Sequence, residues 1–125
     1  MFFKKNYLAK KNNFYVNYSN SSSYDILKPK FAINNLKENI NVTANEGNFI
    51  NDDEILLKNN VLFKSSNFKI ISNDVTFDKR KQTANSESDA IFIAKKTKIE
   101  SKGFNIIDQG NIILFNGKTL LTLSK

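Results

Sequence analysis

A chain of 125 residues is long enough for one domain around one core and too short for two ordinary ones. Its hydrophobic content of 40%, with 11 Phe, exceeds that of a disordered chain, while the absence of Cys and His removes disulfides, thiolate nucleophiles, the usual zinc sites and the best proton shuttle near neutrality. The formal charge of +7 favours anionic partners, but every basic residue except Arg80 is Lys, the profile of a biased composition with solvated surface charge.

In chain order, Met1-Phe2-Phe3-Lys4-Lys5-Asn6-Tyr7 lacks the apolar core of ~7–15 residues and the cleavage site that define a secretory signal. No stretch approaches the ~20 apolar residues of a membrane-spanning helix. Residues 1–13 are expected to be loosely ordered or part of a further strand, ahead of a single domain over 14–125. From there on helix signals are poor, because Ala is scarce and β-branched, aromatic and Asn residues dominate. Two-residue alternation, by contrast, runs through Ile40, Val42, Ala44, through Ile55, Leu57 and Val61, Phe63, through Ile91, Ile93, and through Ile113, Phe115 and Thr119, Leu121, Leu123. Turn-forming clusters separate these runs at Asn20 to Ser23, Asn51 to Asp53, Ser65 to Asn67, Asp78 to Gln82 and Asp108 to Asn111. The short spacing between turns favours antiparallel hairpins over units with a crossover helix.

The runs repeat. A β-branched residue, followed two positions on by Ser or Ala and seven or eight positions on by an aromatic residue or Ile, occurs at Val16 (with Tyr18-Ser19 and Tyr24), Val42 (Ala44, Phe49), Ile70 (Ser72, Phe77) and Ile99 (Ser101, Ile106). A second half-motif is apolar with a polar interruption at its centre. Leu27 to Ile33, Leu57 to Phe63 and Phe115 to Leu121 superpose without gaps, with Glu87 to Ile93 as a degenerate copy. The shared centre is Pro29, Asn59 or Gly117, residue types suited to a bend, a bulge or a positive φ. Four such hairpins give about eight antiparallel strands. A single hairpin cannot bury its face, so the expectation is an all-β open jelly roll in which stacked hairpins curl into a trough. Its inner face is expected to carry Val42, Ala44, Phe49, Leu57, Val61, Phe63, Ile70, Phe77, Ile91, Ile93, Phe115 and Leu121.

These half-motifs resemble the OstA-like β-module of lipopolysaccharide transport proteins, and their order is most similar to the LptC family. Val42-Thr43-Ala44-Asn45-Glu46-Gly47-Asn48-Phe49 resembles that family's "v-x-A-x-x-G-x-y" strand and turn, and Ile55 to Phe63 its "L-x-L-x-G-x-V-x-l" strand, with Asn59 in place of the usual Gly. Phe68 to Asp78 resembles the following strand. Ser101 to Gly110, then Phe115-Asn116-Gly117, resembles the closing hairpin, the most specific part of the match.

The resemblance implies a non-catalytic protein, needing no cofactor, that takes lipopolysaccharide from an inner-membrane ABC transporter of the LptB-LptF-LptG type and passes it to a periplasmic LptA-like protein. An LptA-like bridge protein is itself the neighbouring alternative, and a homodimer is a further arrangement open to such modules. Acyl chains would lie in the apolar trough, and modules would join by edge strands. The expected docking edge comprises Gly103, Gly117 and Thr119, Leu120, Leu121, Thr122, Leu123, with Lys118 and Lys125 as flanking charges. A periplasmic location beside the inner membrane is expected, and because the family's amino-terminal membrane anchor is not visible here, either the start is trimmed or misassigned or retention at the membrane depends on partners.

Other features read more simply. Asn51-Asp52-Asp53-Glu54 lacks the ligand spacing of a calcium loop and is a solvated turn, and Glu87 with Asp89 is chance spacing rather than an acid–base pair. Lys4-Lys5, Lys10-Lys11, Lys28-Pro29-Lys30, Lys79-Arg80-Lys81 and Lys95-Lys96-Thr97-Lys98 are placed at turns or chain ends. With interleaved aromatics they sustain one competing hypothesis, a β-sheet that binds polyanions or single-stranded nucleic acid. Against nucleic acid as a partner, most Phe fall on the apolar side of their strands.

Overall fold

Alternating apolar side chains need a strand on each side to pair with and a second layer to face, and the chain supplies both by bending. The computed structural model describes residues 24–124. The first repeat copy at Val16 and Tyr18-Ser19, the Asn20 to Ser23 turn, the Lys4-Lys5 and Lys10-Lys11 pairs, the expectations for residues 1–13 and Lys125 lie outside the described residues. The strands are β1 (Ile26–Leu27), β2 (Lys30–Asn34), β3 (Asn39–Thr43), β4 (Glu46–Phe49), β5 (Glu54–Lys64) and β6 (Phe68–Asp78). They continue with β7 (Thr83–Ser86), β8 (Ala90–Ala94), β9 (Thr97–Ser101), β10 (Gly103–Ile107), β11 (Ile112–Asn116) and β12 (Leu120–Leu123).

These twelve segments form seven long strands in an up-and-down meander. β5 and β6 are continuous, whereas β1/β2, β3/β4, β7/β8, β9/β10 and β11/β12 are each one strand broken near its middle. Every pairing is antiparallel. The breaks line up and fold the sheet into two layers that share β5 and β6. The first layer runs β2-β3-β5-β6-β8-β9-β12 and the second β1-β4-β5-β6-β7-β10-β11. The sheet is open, as expected from sequence.

The repeat motif is the chemistry of this fold line. At the bulge within β5, Asn59 and Asn60 take φ values of 65° and 52° while the register to β6 shifts between Lys58 and Val61. Asn tolerates this left-handed region at low cost. Gly117, between β11 and β12, has φ +74°, and a Cβ there would meet Lys102 Cβ at 2.8 Å. The small residue of the first half-motif lies inside the fold, where Ala44, Ser72 and Ser101 are buried, joined by Ser86. Bending a strand deprives carbonyls of ladder partners, and the serines replace them. Ser72 Oγ donates to the Asp89 carbonyl (2.9 Å), Ser86 Oγ to that of Asp74 (2.6 Å) and Ser101 Oγ to that of Gly103 (2.9 Å).

Among the described residues, three aromatic contacts join the layers. Phe31 meets Phe77 with centroids 5.2 Å apart, Phe63 meets Phe104 edge-on at 5.6 Å, and Phe92 meets Phe115 edge-on at 5.5 Å. Between them lies a core that includes Ile33, Ile40, Val42, Ile55, Leu57, Val61, Ile70, Val75 and Ile106, all with no exposed surface. One side of the interior is stitched shut. Asn34 N–H donates to Gln82 Oε1 (2.7 Å), the Asn35 side-chain amide donates to the Gln109 carbonyl (2.8 Å), and Gly110, at φ +86°, sits against Ile33 and Ile40 where a Cβ would clash.

Candidate functional site: an apolar overhang at the carboxy-terminal edge

The interior is not uniform. Around β2, β3, β5 and β6 it is sealed, but β9 and β12 extend the first layer past the cover of the second. Ladder register defines their inward side, because directly paired residues share a face. Buried Ile70 pairs with Phe92, Phe92 with Ile99 and Ile99 with Leu121. One step outward, Phe68 pairs with Ala94, Ala94 with Thr97 and Thr97 with Leu123. Burial falls away along both rows: Ile70 is fully buried, Phe68, Phe92 and Ile99 are half-buried, and Leu121 and Leu123 are 56% and 69% exposed. From the second layer, half-buried Ile113 and Phe115 complete the lining. Phe68 stacks on Phe92 at 5.4 Å, so the aromatic floor is continuous from β6 to β11.

Ten of the twelve residues expected on an inner face separate into three groups. Val42, Leu57, Val61, Phe63, Ile70 and Phe77 are fully buried and Ala44 is 7% exposed, so these form the sealed core. Phe115 and Leu121 line the open overhang. Phe49 points inward by register with Ile55, but at the end of β4 it is 47% exposed and lies beneath Lys79 Nζ, 5.4 Å from the ring centroid.

Two orientations read from sequence are corrected. Ile91 pairs with Ile71 and Ile93 with Lys69, so both stand on the outer face, and Phe92 takes the inward place. The segment Ala90-Ile91-Phe92-Ile93-Ala94 is apolar at every position and carries no phase of its own. Gly103 is not on an edge: β10 is paired on both sides, and a Cβ at Gly103 would lie 2.5 Å from the Ser86 carbonyl oxygen. Its small size serves the close approach of β7 and β10. Gly117 and Thr119 occupy the exposed corner before β12, with Thr119 Oγ1 donating to the Gly117 carbonyl at 3.0 Å.

Leu120 to Leu123 do form an edge. β12 pairs with β9 alone among the described residues. Ser124 N–H donates to the Lys96 carbonyl (2.9 Å). By two-residue alternation the N–H groups of Leu120 and Thr122 also turn toward β9, and those of Leu121 and Leu123 turn to the open side. The rim is charged, with Lys98 against Glu100 at 3.9 Å and Lys102 against Asp89 at 3.4 Å. Sequence reasoning missed Phe68, Phe92, Ile99 and Ile113. A signal existed for Ile113, which alternates with Phe115 in one run.

Fold and site together define the class of the protein, an open β-jelly roll whose accessible interior is hydrocarbon. Such a lining can hold a ligand only by burial, at ~25 cal/mol per Å² of apolar surface removed from water. A protein-family model described as lipopolysaccharide-assembly, LptC-related, matches residues 13–119, and the chain belongs to that family. Its role therefore lies in lipopolysaccharide transport, in a family that acts as a transport component with the Lpt machinery at the inner membrane and periplasm. No curated protein matches the chain significantly. Among the described residues no helix is long and apolar enough to cross a membrane.

Proposed function

We propose that the protein is a periplasmic, non-catalytic relay for lipopolysaccharide, in which acyl chains lie on the overhang formed by Phe68, Phe92, Ile99, Phe115, Leu121 and Leu123 while the phosphorylated sugar stays in water. The observation that carries this reading is the fall in burial along the Ile70–Phe92–Ile99–Leu121 row, which among the described residues leaves an inner apolar face exposed at the β12 edge of the first layer's ladder. Covering ~100 Å² of such surface returns about 2.5 kcal/mol, enough to retain a chain and weak enough to release it. The open N–H and C=O groups of β12 lie beside the overhang. A similar β-module that pairs there, such as an LptA-like protein, would extend both the sheet and its apolar lining, so that a chain moves from one to the next without entering water. Supply comes from an ABC transporter of the LptB-LptF-LptG type.

The test is photo-crosslinking with a benzophenone amino acid in place of Phe115 or Leu121, with exposed Lys81 on the far loop as the control site. Lipopolysaccharide adducts from the first two and not from the third are expected. Absence of those adducts, together with capture of single-stranded oligonucleotide that falls steeply with salt, would replace this reading with the polyanion one.

A further inference from the structure

The outward side of the first layer carries a pattern that the relay does not use. Following the ladder across it, Leu62 pairs with Ile71 and Ile71 with Ile91, giving three aliphatic side chains abreast on neighbouring strands. Ile71 is 38% exposed and the other two are partly exposed. The next row outward reads Lys64, Lys69, Ile93, Lys98. A solvated sheet face alternates polar side chains, whereas here an aliphatic row lies against a lysine row. The carboxylate in these rows, Glu100, is engaged by Lys98 at 3.9 Å, and among the described residues Lys64 and Lys69 have no carboxylate partner. The outward side of the second layer differs: its ladder brings Glu46, Lys58 and Asp74 into one row and Glu54, Asp78 and Thr83 into another, with no comparable lysine row.

We propose that the outer face of the first layer docks flat on an anionic phospholipid bilayer, with Leu62, Ile71, Ile91 and Ile93 at the headgroup boundary and Lys64, Lys69 and Lys98 against phosphates. Charge selects this occupant. A row of lysines, of which Lys64 and Lys69 have no carboxylate partner among the described residues, complements a negatively charged, laterally continuous surface, and the aliphatic strip beside it gains from the boundary below the headgroups. A second copy of the same face would set lysines against lysines and be repelled. In this pose the overhang, which opens on the inward side of the same layer, stays off the membrane and accessible.

The experiment is co-sedimentation of the full chain with vesicles free of lipopolysaccharide, made either of phosphatidylcholine with phosphatidylglycerol or of phosphatidylcholine alone, so that it is independent of the relay. Binding to the anionic vesicles only, weakened as salt rises, is expected. The pair Lys64→Gln/Lys69→Gln should weaken it by roughly twenty-five-fold, at about fivefold per lysine near such a surface. Ile71→Ser should weaken it at low and at high salt alike. The pair Lys58→Gln/Lys81→Gln, which removes the same charge from the second layer and its loop, should leave it unchanged. Equal binding to neutral vesicles, no binding, or equal loss from both lysine pairs would overturn the proposal. So would an Ile71-dependent self-association of the chain in place of vesicle binding.

Discussion

Asn59 shows how much of this fold one backbone angle carries. Its φ of 65°, followed by 52° at Asn60, lets a continuous strand serve two layers, and it stands where the family pattern has Gly. Left-handed geometry costs an L-residue roughly 1–2 kcal/mol, less for Asn, and almost nothing for Gly. Asn59→Gly should therefore stay within about 0.5 kcal/mol of the parent, whereas Asn59→Val should lose about 1–2 kcal/mol in urea unfolding. Equal losses would mean that the angle is not what the position requires. The sequence foretold this residue, as it did Gly117, because a polar or glycine centre inside an apolar run has few other physical readings. It did not foretell Gly103, whose purpose is proximity to the Ser86 carbonyl, a contact visible only after β7 and β10 are paired.

Among the elements, β12 is the least buried, and its two sides do different things. Side chains of Leu121 and Leu123 extend the inner face, while the N–H groups of the same residues turn away from β9. Leu121→Pro removes an outward N–H and keeps the bonds to β9, so it should abolish strand addition by an LptA-like module, read by pull-down, while the chain stays folded. Leu121→Ala should preserve that docking and reduce lipopolysaccharide adducts from Phe115. Loss of docking in both variants would assign the side chain rather than the edge to the contact. Phase was legible for strands whose faces differ: β3 reads Asn39-Ile40-Asn41-Val42, and its buried pair is Ile40 and Val42. It was not legible for β8, where Ala-Ile-Phe-Ile-Ala offers the same hydrophobicity to both sides.

For the whole molecule, β5 and β6 belong to both layers, so neither layer can open alone. Ile40 packs in the first and Ile106 in the second, both without exposed surface. Ile40→Ala and Ile106→Ala should each cost about 2–5 kcal/mol and shift a single thermal transition followed by far-UV dichroism. Two separated transitions in either variant would show that the layers are independent. The sequence by itself determined the all-β class, the antiparallel hairpins with bend-forming residues at their centres and the family to which the chain belongs, because alternation, turn chemistry and those central residues are local and recur with the repeat, whereas the meander order of the strands came from the structure. Only the tertiary structure decided which apolar residues are sealed and which stay exposed. Val42 and Leu121 occupy equivalent alternating positions, and they differ only because β3 lies under the second layer while β12 reaches past it, a fact of long-range pairing that no local pattern encodes.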